Sequence, residues 1–277
     1  MPPVKLKQDK TKEHKGRIMD NIRRLNRLFK PDGKVLIMAM EHSIIFGPTK
    51  GQVKPGETIV KAIQGGVDGI MTSYGMARHF AKEISPVGLI LRSDGVATIL
   101  GPDVEAPVWF GVDEALRLGA DALCISAFPG DEKEMRTLNN LAEITSKAHQ
   151  WGLAVQAEMV PGGMMSTAEY RTVERVALAA RAGIELGGDW VKIPYVDGFE
   201  EVVEACYKPV VIMGSKKRNS VEEFLTEMKK AMDAGAVGGT IGRNIFESDN
   251  PGAMAAALAA IIHQGVSVDE AARIAKG

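Results

Sequence analysis

"GGDWVKI", residues 187–193, sets a helix-stopping pair of glycines directly before a short apolar run that reads as a buried strand. A glycine just past a helix supplies the left-handed conformation of that position without a steric penalty. The same order returns in "GGVDGI" (65–70), "GADALCI" (119–125) and "GAVGGTI" (235–241). Around these, eight short apolar runs alternate with stretches of helical periodicity: "KVLIMAM" (34–40), "GIMTSY" (69–74), "VGLILRS" (87–93), "ALCISAF" (122–128), "LAVQAEM" (153–159), "WVKIPY" (190–195), "PVVIMGS" (209–215) and "GGTIGRN" (238–244). The intervening pieces include "TLNNLAEITSKAHQW" (137–151) and "SVEEFLTEMKKAMDAG" (220–235). Strands that alternate with helices pair in parallel, because a parallel neighbour requires a long crossover. Eight of them in 277 residues predict a closed (β/α)8 TIM barrel rather than an open doubly wound sheet. The glycine signal falls before every second strand, as expected of a barrel made of four two-strand quarters.

Composition narrows the function classes. Apolar residues are 45 % and charged residues 25 % of the chain, the balance of a soluble globular protein, and a net charge of −1 gives no case for a polyanion-binding protein. No nucleic-acid or membrane partner is therefore expected. No run approaches a membrane span and the N-terminus has no secretory apolar core. Two distant cysteines in apolar surroundings, Cys124 and Cys206, read as reduced core residues of a cytoplasmic protein. Residues 1–30 form a basic arm in which Ile18, Ile22, Leu25, Leu28 and Phe29 recur at helical spacing, so this segment is expected to be a capping helix with a solvated basic face. Residues 31–277 form the barrel domain.

Lys192 stands within the apolar run of the sixth strand. Two readings are open: the ammonium snorkels to water, or it is buried and its pKa is pushed down toward the range of a nucleophile. Barrel active sites gather at the C-terminal strand ends. Glu41 and His42 follow the first strand and are candidates for acid/base work, or for strand-end hydrogen bonds. Arg92 and Asp94 at the third strand are able to pair with each other. Glu158 at the fifth strand is a second acid or base, or an orienting partner for the lysine, and Tyr195 ends the sixth. "IMGSKKRNS" (212–220) and "GTIGRNIFESDNPG" (239–252) place glycines and cations at the seventh and eighth strands. There Gly214, Ser215, Lys216, Gly242 and Arg243 suit a phosphate. Nothing shows the spacing of a metal motif, and neither a metal nor an organic cofactor is expected. An amine that attacks a ketone gives an imine able to accept the electrons of a breaking C–C bond.

From about residue 18 to 265 the chain resembles the archaeal-type class I aldolases, also termed dehydrin-like aldolases. This group holds fructose-bisphosphate aldolase, 2-amino-3,7-dideoxyheptulosonate synthase and a phosphorylated autoinducer-2 thiolase. The resemblance lies in "EHSIIFGPTKG", "WVKIPY", "IMGSKK" and above all "GGTIGRNIFESDNP". It implies that Lys192 forms the imine, that Glu41 takes the place of an acid/base aspartate, and that Gly214, Ser215, Gly242 and Arg243 hold phosphate. It also implies a homo-oligomer, commonly a decamer. Phe128 stands where the resemblance implies a proton-donating tyrosine at the end of the fourth strand. The expectation is a Schiff-base lyase acting on a phosphorylated ketone. The alternatives are thiolase-type acyl transfer from a phosphorylated dione and a barrel that binds or isomerises a sugar phosphate without covalent chemistry.

Overall fold

The computed structural model describes residues 22–101, 105–164, 166–214 and 220–277. The first part of the basic arm, Ser215 and Lys216 lie outside these. Eight strands, β1 (Val35–Ala39), β2 (Gly69–Thr72), β3 (Gly88–Arg92), β4 (Ala122–Ala127), β5 (Ala154–Met159), β6 (Trp190–Ile193), β7 (Val210–Met213) and β8 (Gly238–Ile241), close into a barrel in sequence order. Every pair is parallel, including β1 with β8, so the (β/α)8 expectation holds. The strands are short because only the barrel wall is β; helices such as Glu134–Gln150 and Val221–Asp233 cover the outside.

Alternation along each strand divides two apolar layers. Leu36, Met38 and Val191 face outward to the helices, and Ile37, Cys124, Trp190 and Val211 face the barrel axis. The helix-stopping glycines adopt positive φ at Gly66, Gly119, Gly187 and Gly235, one before each even strand. Three of these stops lead into an aspartate that clasps the start of the preceding odd strand. Asp68 accepts the backbone N–H of Leu36 at 2.7 Å, Asp121 that of Leu89 at 3.0 Å and Asp189 that of Val155 at 2.8 Å.

The helix Ile22–Leu28 plugs the N-terminal end of the barrel. Leu25 and Leu28 are buried with Val35, Ile90 and Trp190, and Phe29 meets the Trp190 ring edge-on at 5.4 Å. The basic residues of this segment are partly engaged: Arg27 reaches Asp121 at 3.2 Å and Lys30 reaches Asp68 at 3.3 Å. Close approach of the plug requires glycine beneath it. A Cβ at Gly88 would lie 2.4 Å from Leu28 Cδ2 and 3.1 Å from the Arg27 carbonyl oxygen. Gly88→Ala is therefore expected to destabilise the fold by about 1–3 kcal/mol through overpacking. Urea unfolding measures this, and an unchanged midpoint would mean that the plug shifts freely.

Candidate active site

The plug closes one end of the barrel, and a cavity of about 440 Å³ opens at the other, among the C-terminal strand ends. Glu41, His42, Arg92, Asp94, Glu158, Lys192, Gly214, Gly242 and Arg243 all line it. The barrel therefore gathers most of the expected site residues from six strands. Tyr195 is not among the lining residues; its hydroxyl donates to Asp197 at 3.2 Å, and burial with that carboxylate raises its pKa to about 12.

Register places the polar centre. Ser126 pairs with Glu158, and Glu158 with Lys192, so inward-pointing side chains at one height share the interior. Lys192 is only 4 % exposed, and its Nζ lies 2.8 Å from Glu158 Oε1. Arg92 binds the other oxygen of the same carboxylate, donates to Ser126 Oγ, and meets Asp94 at 2.8 Å through Nε. Asp94 in turn accepts the backbone N–H of Ser126 at 2.9 Å. Two cations and two carboxylates thus form a buried array of balanced formal charge, the condition under which burying them is tolerable.

This array corrects the expected state of the lysine. Burial alone does push the Lys192 pKa down, but the carboxylates of Glu158 and Glu41 outweigh it and the net direction is upward. At rest Lys192 is an ammonium. Burial would raise the Glu158 pKa, yet Lys192 and Arg92 bring it down to about 2.

The Glu41 and His42 pair stands apart from this array. Glu41 Oε2 and His42 Nδ1 are buried 3.9 Å apart, and neither makes a hydrogen bond. Burial lowers the His42 pKa against the opposing pull of Glu41, with Lys192 and Arg243 adding to the fall, so the ring is neutral near pH 7. A Cβ at Gly242 would lie 2.6 Å from His42 Cε1; glycine there lets the imidazole approach the end of β8. The backbone N–H of Gly214 faces the Thr240 carbonyl at 3.4 Å. Phe128 is buried with Val96 and Val160 in a small apolar cluster at this end.

Two lining cations matter beyond the expected set. Arg92 was visible as a strand-end residue, but its bond to Glu158 depends on β3 and β5 both flanking β4, which the local sequence does not express. Arg171 lies in the loop after β5 and follows the short helical turn Ala168–Tyr170; no periodicity or motif marks it. Among the described residues no group of three or more His, Cys, Asp or Glu side chains is placed to hold a metal ion.

The closed parallel barrel thus carries a buried lysine–carboxylate pair at its open end. The chain belongs to the DeoC/LacD family of aldolases, whose match spans residues 35–248. It is 34 % identical over 249 residues to 2-amino-3,7-dideoxy-D-threo-hept-6-ulosonate synthase 1 of Archaeoglobus fulgidus, covering 90 % of this chain and 93 % of that one. It is 32 % identical over 250 residues to the 3-hydroxy-5-phosphonooxypentane-2,4-dione thiolase of Escherichia coli, covering 90 % and 84 %. An archaeal fructose-1,6-bisphosphate aldolase, solved with its catalytic lysine covalently bound to the carbinolamine intermediate of the substrate, superposes with a TM-score of 0.78 at 29 % identity, over 87 % of this chain and 98 % of that one. The protein is accordingly an enzyme of the class I, Schiff-base aldolase family.

Proposed function

We propose that Lys192 is the imine-forming residue and that the substrate is a phosphorylated ketone. The observation that carries this reading is that Lys192 is the single lysine among the described residues lining the cavity, held 2.8 Å from a carboxylate able to take its proton. Nζ passes one proton to Glu158 and attacks the substrate carbonyl carbon, and a second Nζ proton moves to the carbonyl oxygen to give a carbinolamine. Glu158 returns the first proton to that hydroxyl, which leaves as water, so that an iminium remains and the carboxylate is restored. A base then removes the proton of the hydroxyl on the carbon β to the iminium, the C–C bond breaks, and its electron pair enters the iminium to give an enamine and a free aldehyde. Protonation and hydrolysis of the enamine regenerate the lysine; condensation is the reverse.

Glu41 and His42 are the groups for the second proton. Two adjacent buried polar atoms without partners are costly unless a substrate hydroxyl satisfies them. Glu41→Gln is expected to lower kcat about 10²–10⁴-fold while Lys192 still forms its adduct, because only proton transfer is removed. Single-turnover trapping beside steady-state assays separates the two, and equal loss of trapping and turnover would assign Glu41 to imine formation instead.

Phosphate recognition falls to Gly214, Gly242 and Arg243 on the cavity wall, with Ser215 and Lys216 next to Gly214 in sequence. Buried free thiols at Cys124 and Cys206 support a reducing compartment, the cytoplasm. Exposed Met135, Trp151 and Leu178, outside the cavity lining, support a homo-oligomer, which sedimentation measures.

Borohydride reduction in the presence of phosphorylated ketones, followed by peptide mass spectrometry, tests the reading. An adduct on Lys192 is the expected result, and no adduct with any such ketone would leave the non-covalent binding or isomerase reading. Acyl transfer is favoured by one observation: Phe128 offers no hydroxyl at the end of β4. Product analysis with a phosphorylated dione discriminates this from aldol cleavage.

A further inference from the structure

We propose that the part of the substrate lying toward the mouth of the cavity, away from its phosphate, is a neutral apolar group, aryl or branched alkyl, received by an apolar wall in which Ile99 and Trp109 set the specificity. Assigning that group to the half without the phosphate rests on the reading of Lys192 and of the phosphate site at β7 and β8. The wall itself rests on the loops after β1, β2 and β3.

The cavity has two levels. Its floor is the charged array, whose Arg92, Glu158 and Lys192 belong to the strands themselves. Beyond the strand ends the lining changes character. Val96 and Val160 are buried with Phe128, and Ile45 and Met213 pack against this cluster, so apolar side chains from the ends of four odd-numbered or neighbouring strands meet next to the charges. Farther out, Phe46, Ile99 and Trp109 line the same cavity and stay substantially exposed.

Backbone bonds hold this wall in place. The Trp109 N–H donates to the Ser93 carbonyl at 2.8 Å, and a bridge between Asp94 and Val108 folds the β3 loop back on its own start. The indole then lies against Gly95, where a Cβ would come within 2.0 Å of its Cη2. The Phe110 ring stacks on Tyr74 at 4.5 Å, and the Ile99 N–H donates to the Ile45 carbonyl at 3.1 Å. These two contacts fasten the β3 loop to the loops after β2 and β1.

Apolar surface held open to water is unfavourable, and a ligand that covers it recovers that free energy. A polyol chain in the same place would exchange its water for mostly apolar contacts, at a cost for every hydroxyl left unpaired. Ser73 and Thr98 add two hydroxyls to this face, whereas Arg171, bonded to Ser166 at 3.0 Å, belongs to the loop after β5.

The test is calorimetric titration of the full chain, with inorganic phosphate saturating the phosphate site and benzyl alcohol and glycerol as probes. Benzyl alcohol is expected to bind about tenfold or more tightly than glycerol, and Trp109→Gln and Ile99→Gln each to cut that ratio about threefold or more. Equal affinities in the natural chain, or a ratio unchanged in the variants, overturn the proposal. Ile99 is largely exposed, so its variant decides the matter should Trp109→Gln fail to fold. If sedimentation shows that the variants split an assembly in which benzyl alcohol has no advantage, the wall is a subunit interface and the proposal falls. In condensation with dihydroxyacetone phosphate, kcat/KM should be about tenfold or more higher for phenylacetaldehyde than for glyceraldehyde 3-phosphate, and the reverse preference overturns the apolar assignment. Benzyl alcohol binding without borohydride trapping on Lys192 would refute the imine reading alone; trapping without a preference for the benzyl probe would refute the apolar wall alone.

Discussion

Lys192→Arg is expected to abolish borohydride trapping and to lower turnover by about 10⁴-fold or more, the scale on which removal of a nucleophile acts. Arginine keeps a cation beside Glu158, so the array retains its balance of charge and the fold should survive. What disappears is the ability to lose a proton and attack. Trapping, steady-state rate and thermal midpoint read the three consequences separately. A variant with full turnover would show that the lysine acts only as a charge; loss of folding together with activity would call for Lys192→Met as the companion.

Glu158→Gln should have the other large effect, and its direction in pH is defined. The carboxylate opposes the downward push of burial on Lys192. Without it the Lys192 pKa falls, and the lower pH limit of adduct formation moves to lower pH. Turnover falls as well, because the neighbouring proton acceptor is gone. Stability is expected to drop by about 3–5 kcal/mol, since Arg92 and Lys192 remain buried with one carboxylate fewer. In the natural protein, Glu158 has a depressed pKa, so its contribution is complete above the ordinary carboxylate value. That contribution is lost as the pH falls through about 2. Lys192, with a raised pKa, contributes fully below its ordinary value and loses its contribution as the pH rises through the raised one. Urea unfolding across pH, with trapping rates on the same samples, checks both signs. Unchanged stability and an unchanged trapping profile in Glu158→Gln would dissociate the carboxylate from the lysine.

The strands were legible because each signal is local: an apolar run bounded by a glycine stop needs no knowledge of the rest of the chain. The positions of Glu41, Arg92, Glu158 and Lys192 at strand ends followed from the same count. The pairs Arg92–Asp94 and Lys192–Glu158 were open possibilities there; the bond of Arg92 to Glu158 and the direction of the lysine's shift were not. Whether Lys192 is raised or lowered depends on a carboxylate from β5, and whether Arg92 faces Asp94 alone or Glu158 as well depends on strand order. Burial argued from sequence has only the desolvation half of the balance. Arg171 was silent because an irregular loop has no period to read. Tyr195 shows the converse: proximity in sequence to Lys192 did not bring its hydroxyl into the cavity wall.

The aspartate clasps suggest how such a barrel is written along a chain. Each bond spans 32, 32 or 34 residues, so a strand, its helix and the next strand are enough to complete it. The first three quarters are therefore self-sufficient paragraphs, each finishing its own lower edge within a short loop closure. The last quarter has Val237 where the others have aspartate, and there Gly238 presses so near β1 that a Cβ would lie 1.8 Å from the Val35 carbonyl oxygen. That join is made across almost the whole chain. The barrel thus consists of three locally completed units and one distant seam, and it is the seam that turns a ribbon of repeats into a vessel with an inside.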